Sequence, residues 1–224
     1  MSATKQIVAE AYDSLAEWYS AWVNGQASPR ERYASKILQN QTRTRDPSPS
    51  SSPSPFILDI GSGPGVPVTR FLLSHGARVI ANDISANQLA LAKSQCRPYA
   101  TKATFVLGDM AELRFDAGSF DGVVCFFALF HLPRAEQREM LERVYWWLKP
   151  GGLLVCNFAT VDEEEIFGEM MGRGIFWSGF GVEENREMLM EIGFEVVEEE
   201  MLESEADGGV EFMWIAARKG ETSL

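Results

Sequence analysis

Basic residues are in short supply in this chain. Its 224 residues hold 20 Lys and Arg against 32 Asp and Glu, a formal net charge of −12. A protein that grips a phosphate backbone gains affinity from a basic face, so the composition argues against nucleic-acid binding. Cysteine is scarce too. Cys96, Cys125 and Cys156 are odd in number and far apart, which gives neither a disulfide framework nor a metal cluster and suits a reducing cytosol. No run of about 18 uncharged apolar residues occurs, so no membrane span is expected. The opening "MSATKQIVAEAYDSLAEWYSAW" carries acids and lacks an apolar signal core, so secretion is not expected and a cytoplasmic location is. A phosphate cradle with Gly-Lys-Ser/Thr is also missing, which removes the ATPases.

What is present is a globular composition, with 46% hydrophobic and 11% aromatic residues. Ile7, Ala11, Leu15, Trp18 and Trp22 recur at helical spacing, and "NGQASP" (residues 24–29) breaks the pattern before a second helix that Ser28 caps and Pro29 opens. Residues 1–45 therefore read as an N-terminal helical cap. In "DPSPSSSPSP" (residues 46–55) nine of ten residues are Ser or Pro. Such a stretch buries too little apolar surface to offset its ordering entropy and reads as a linker.

From residue 56 to the end, apolar strands alternate with amphipathic helices. "FILDI", "RVIANDI", "ATFVLGD", "FDGVVCFFAL" and "GLLVCNFA" are the strands of a parallel sheet covered on both faces. "FEVVEEEML" and "VEFMWIAARK", joined by "ESEADGG", add an antiparallel hairpin at its edge. The fold expected is α/β: a doubly wound, mostly parallel seven-stranded sheet. Between the fifth strand and the hairpin, "VDEEEIFGEM" reads as an acidic helix. The wider segment, residues 160–182, is rich in Phe, Trp, Met and Gly. It suits a lid over an apolar molecule, with core packing as the plain alternative.

In an open parallel sheet, ligands sit beyond the carboxyl ends of the strands. "GSGPG" follows the first strand there. A dinucleotide fingerprint needs glycine at the sixth position from Gly61, and Val66 occupies it. Asp83 ends the second strand, 24 residues beyond Asp59, where a carboxylate can accept both ribose hydroxyls of an adenosine. Capping the next helix is its other possible role, for which Ser85 competes.

Together, "LDIGSGPG", Asp83 in "IANDIS", "GDM" and "LKPGG", in that order, resemble the motifs of class I S-adenosylmethionine-dependent methyltransferases, a Rossmann-like fold with a reversed last strand. The resemblance implies S-adenosylmethionine as cofactor and S-adenosylhomocysteine as product. It places Asp59, Gly61, Ser62 and Gly63 at the methionine part, Asp83 on the ribose, and Ile84 and Met110 beside the adenine. It also implies Asp109 on the adenine amino group, Phe126 by the sulfonium, and Tyr19 of the cap reaching the cofactor. Trp22, Phe127, Phe176 and Trp177 are expected to line the acceptor pocket. His131, just past the fourth strand, is the candidate base, or else only bonds backbone. The reaction expected is methyl transfer by in-line displacement to a small apolar or aromatic molecule, with no metal. The alternatives are a nicotinamide-dependent oxidoreductase and a silent cofactor-binding regulator. The oligomeric state is not legible in the sequence.

Overall fold

A computed structural model describes residues 2–26, 28–44, 54–204 and 208–220. Most of the Ser/Pro linker and the middle of the "ESEADGG" turn lie outside the described residues. Two helices come first, α1 (Ala3–Gly25) and α2 (Arg30–Thr44). The Ser28 hydroxyl accepts the N–H of Arg30 at 3.3 Å, so the break before α2 falls where the sequence puts it.

The alternation then runs β1 (Phe56–Ile60), α3 (Val68–Ser74), β2 (Arg78–Asp83), α4 (Ala86–Gln95), β3 (Ala103–Leu107), β4 (Phe120–Cys125), α5 (Arg134–Trp147) and β5 (Leu148–Ala159). After β6 (Glu163–Met170) and β7 (Arg173–Gly179) come α6 (Val182–Ile192), β8 (Phe194–Ser204) and β9 (Val210–Lys219). The main sheet has seven strands in the order β3-β2-β1-β4-β5-β9-β8. The first five are parallel, and β9 runs antiparallel to both β5 and β8.

Neighbouring residues on a strand face opposite ways. Ile57, Val124 and Val155 accordingly enter one apolar layer, under α2 and α3, while Leu58, Val123 and Leu154 enter the other, under α5 and α6. Helix α2 thus belongs to the sheet's own packing: Tyr33, Ala34 and Ile37 are wholly buried against it. Helix α1 lies over the strand ends.

The expected acidic helix "VDEEEIFGEM" is instead strand β6, paired antiparallel with β7 in a separate two-stranded sheet. Ile166, Gly168 and Met170 are half-buried while Phe167 and Glu169 are exposed, which is the two-residue period of a strand with one wet face.

Candidate active site

Four strands deliver the site by ending at one edge. The turn after β1 runs through Gly61 and Gly63, with φ of +66° and +55°. At Gly61 an added Cβ would come within 2.4 Å of the Ala128 Cβ, so only glycine fits between this turn and the segment after β4. Asp83, ending β2, accepts the N–H of Gly63 at 2.8 Å and that of Ser85 at 2.9 Å. The cap of α4 is Ser85, whose hydroxyl accepts from Gln88 at 3.1 Å, which leaves Asp83 to brace the glycine turn. Burial pushes the Asp83 carboxyl up to about 6, and the more deeply placed Asp59, bonded by the Thr69 hydroxyl at 2.6 Å, up to about 7.

Helix α1 spans this edge and is tied to it along its length. Lys5 donates to Asp109 at 2.7 Å and also to Glu136. Burial lowers the Lys5 ammonium, but those two carboxylates outweigh it and the net shift is upward. Asp109 takes the Ala111 N–H on its other oxygen at 2.9 Å. Farther along α1, Asp13 accepts from the Ser85 hydroxyl at 2.5 Å and the Asn87 N–H at 3.0 Å. Tyr12 reaches His131 at 3.1 Å.

Beneath α1 lies a cleft lined by Tyr19, Gly61, Gly63, Asp83, Ile84, Asp109, Met110, Phe126, Phe127 and His131. Asp59 and Ser62 line an adjoining recess that shares Tyr19, Gly61, Gly63 and Phe126 with it. All ten residues expected on sequence grounds to hold the cofactor border one of these two spaces. A second cavity, about 560 Å³, opens on the other side of Tyr12, Tyr19 and Phe127, which border both it and the cleft. Of the expected acceptor residues, Trp22, Phe127 and Trp177 line it. Phe176 does not: it is wholly buried in an apolar cluster with Val8, Ala11 and Ile175 under α1.

His131 is buried, with Nδ1 2.8 Å from the Phe176 carbonyl oxygen and Nε2 on Tyr12. Burial pushes its imidazole down to about 4. It is therefore neutral at physiological pH, and its hydrogen bond toward the cavity runs to Tyr12. Cys96, Cys125 and Cys156 are all buried with thiols pushed up by burial, which suits packing rather than nucleophilic work. Among the described residues no group of His, Cys, Asp or Glu could hold a metal ion, and no helix is long and apolar enough to cross a membrane.

The residues present fit S-adenosylmethionine. The Ser62 hydroxyl is buried with no hydrogen-bond partner among the described residues. Arg30 lines the same recess, is 7% exposed, and bonds the Ser28 hydroxyl with its guanidinium 4.2 Å over the face of Phe127; among the described residues no carboxylate pairs with it. A buried cation without a carboxylate is costly unless a ligand brings the counter-charge, as an amino-acid carboxylate does. Arg30, Lys5 and Tyr12 were not legible in the sequence, since each meets a partner far away along the chain.

Residues 57–152 match the family model of a methyltransferase domain. Over 177 residues the chain is 30% identical to the sterol 24-C-methyltransferase of Kluyveromyces lactis, covering 74% of this chain and 46% of that one. The chain thus spans under half the length of that relative. The crystal structure of Burkholderia thailandensis 1,6-didemethyltoxoflavin-N1-methyltransferase, with bound 1,6-didemethyltoxoflavin and S-adenosylhomocysteine, has a TM-score of 0.71 at 21% identity, over 98% of this chain and 92% of that one. Magnesium protoporphyrin IX methyltransferase from Synechocystis PCC 6803, with bound S-adenosylmethionine, also scores 0.71, at 18% identity over 98% and 99%. At such identities these two structures establish the fold. Residues 57–152 are thus a methyltransferase domain, and the glycine turn at the end of β1 with the reversed β9 gives it the class I S-adenosylmethionine-dependent architecture.

Proposed function

We propose that the protein transfers the methyl group of S-adenosylmethionine to a small, largely apolar or aromatic molecule held in the 560 Å³ cavity. The observation that carries this reading is the shared wall: Tyr12, Tyr19 and Phe127 border both the cleft and the cavity, so a donor in one meets an acceptor in the other. When bound, the cofactor supplies an activated methyl on a sulfonium, and the chain need only align, exclude water and accept a proton.

Each residue then has a task. Asp83 receives the ribose diol, Ile84 and Met110 sandwich the adenine, and Asp109, fixed by Lys5, meets its amino group. Ser62 and Arg30 take the methionine carboxylate. Aromatic walls from Trp22, Phe127 and Trp177 hold the acceptor, and the β6–β7 pair covers it as a lid. A volume of this size suits a drug-sized or smaller molecule.

Titration calorimetry of the protein with S-adenosylmethionine, S-adenosylhomocysteine and NAD, alongside Asp83→Ala, tests the cofactor half of the reading. Micromolar binding of both sulfur nucleotides, weakened by the substitution and absent for NAD, is expected. Binding of NAD in their place would overturn it.

A further inference from the structure

We infer that the acceptor is an apolar carboxylic acid, and that Arg30 selects it by holding its carboxylate at the inner end of the cavity. This rests on the methyl-transfer reading above and goes beyond it in giving the acceptor a charge.

Arg30 opens α2 and borders two spaces, the recess beside the glycine turn and the 560 Å³ cavity. It is buried, and its guanidinium donates from Nη1 to the Ser28 hydroxyl at 3.1 Å. The same group lies 4.2 Å over the Phe127 ring. Stacking occupies a face of the guanidinium, so its remaining N–H donors point along its edge, the geometry that takes a carboxylate through two parallel bonds. Phe127 borders both the cleft and the cavity, which puts the stacked guanidinium at the wall between donor and acceptor.

The charges around Arg30 call for a second anion. Lys5, also buried, has Asp109 and Glu136, whereas among the described residues Arg30 has no carboxylate. Asp59, which shares the recess, is bonded by the Thr69 hydroxyl. The cofactor brings one carboxylate together with an ammonium and a sulfonium. It therefore arrives with net positive charge and leaves the guanidinium unmatched. A buried charge in that condition is costly, and an anionic acceptor offsets it. A guanidinium has five N–H donors. With one on Ser28, enough remain for the methionine carboxylate on the recess side and the acceptor's on the cavity side.

The cavity is graded outward from this end. Arg30, Phe130 and Phe212 are buried, while Trp18, Val161, Met171 and Val210 are exposed. Those four are among only nine large apolar side chains exposed in the described residues, so the opening is built to accept an apolar body. Glu169, the other charged residue on the cavity wall, is exposed and repels an anion from the outer end. Both charges thus set one orientation, carboxylate inward and apolar body outward. A neutral molecule leaves Arg30 unmatched, and a cation faces it directly.

The test is titration calorimetry on the full chain saturated with S-adenosylhomocysteine. Two matched probe sets are used: 2-naphthoate against 2-naphthamide and 2-naphthylmethylammonium, and octanoate against octanamide. Each acid should bind at least about 10-fold more tightly than its amide, with the ammonium weakest. Arg30→Gln should bring each acid to within about 2-fold of its amide, and Arg30→Lys should keep part of the preference. The amides should bind wild type and Arg30→Gln alike, which shows that the variant keeps its cavity. Equal affinity of acid and amide for the wild type overturns the proposal, and that comparison needs no variant. An undiminished preference in Arg30→Gln, with only S-adenosylhomocysteine weakened, overturns it too, because Arg30 then serves the cofactor alone. Failure of the methyl-transfer reading shows earlier, as no binding of S-adenosylhomocysteine at the saturation step.

Discussion

Asn157 on β5 accepts the backbone N–H of Phe127 at 2.7 Å. Phe127 sits at φ +55°, left-handed backbone that a bulky side chain adopts at a cost of about 1–3 kcal/mol. That strained residue borders both spaces of the site and carries the Arg30 guanidinium on its ring. Asn157→Ala should leave the Phe127 N–H unpaired and let the segment relax. The expected result is a loss of about 1–3 kcal/mol in urea unfolding, together with weaker S-adenosylhomocysteine binding. Unchanged stability and affinity would mean that another contact holds Phe127.

Cofactor affinity should depend on pH through Asp83. Its carboxyl is raised to about 6, chiefly by burial, so it is ionised above that value and protonated below it. A ribose diol needs carboxylate oxygens as acceptors, so S-adenosylhomocysteine affinity should fall as pH drops through about 6. Calorimetry between about pH 5 and pH 8 reads this out. Asp83→Asn should bind weakly with a much flatter profile, which separates its titration from that of Asp59, raised to about 7 nearby.

His131 should leave its own mark on stability. Its folded value of about 4 lies below the ordinary 6.5, so between these the unfolded chain takes up a proton that the folded chain refuses. That contribution is intact above about 6.5 and falls by about 3 kcal/mol as pH drops to about 4. Asp59 and Asp83, raised by burial, act in the opposite sense, favouring the folded state as pH falls. The quantity to measure is therefore the difference between wild type and His131→Gln. The wild type should lose ground against the variant on acidification, and a constant difference would contradict the buried neutral imidazole.

The closeness of α2 to the sheet depends on Gly122. A Cβ there would lie 2.4 Å from Ile37 Cγ2. Gly122→Ala should destabilise by about 1–3 kcal/mol through overpacking. Ile37→Val in the same chain should recover part of the loss, and a double-mutant cycle in urea would give the coupling. Simple additivity would show that the helix shifts instead.

Local chemistry was enough for much of this molecule. The apolar alternation from Phe56 onward, the cap at Ser85 and the carboxyl-terminal hairpin were legible because strand period, helix caps and turn residues act over a few neighbours. The same holds for the glycine turn and Asp83, which mark the cleft by their order along the strands. Tertiary pairing decided the rest. Glu163–Met170 is a strand only because β7 lies beside it; its acids alone read as a solvated helix. Phe176 and Trp177 were indistinguishable in sequence until tertiary packing buried one wholly under α1 and left the other lining the cavity. Lys5 meets Asp109 across 104 residues and Tyr12 meets His131 across 119, because α1 folds back over the strand ends. The residues that close the site and face its acceptor are thus set by where one helix lands, which no local pattern encodes.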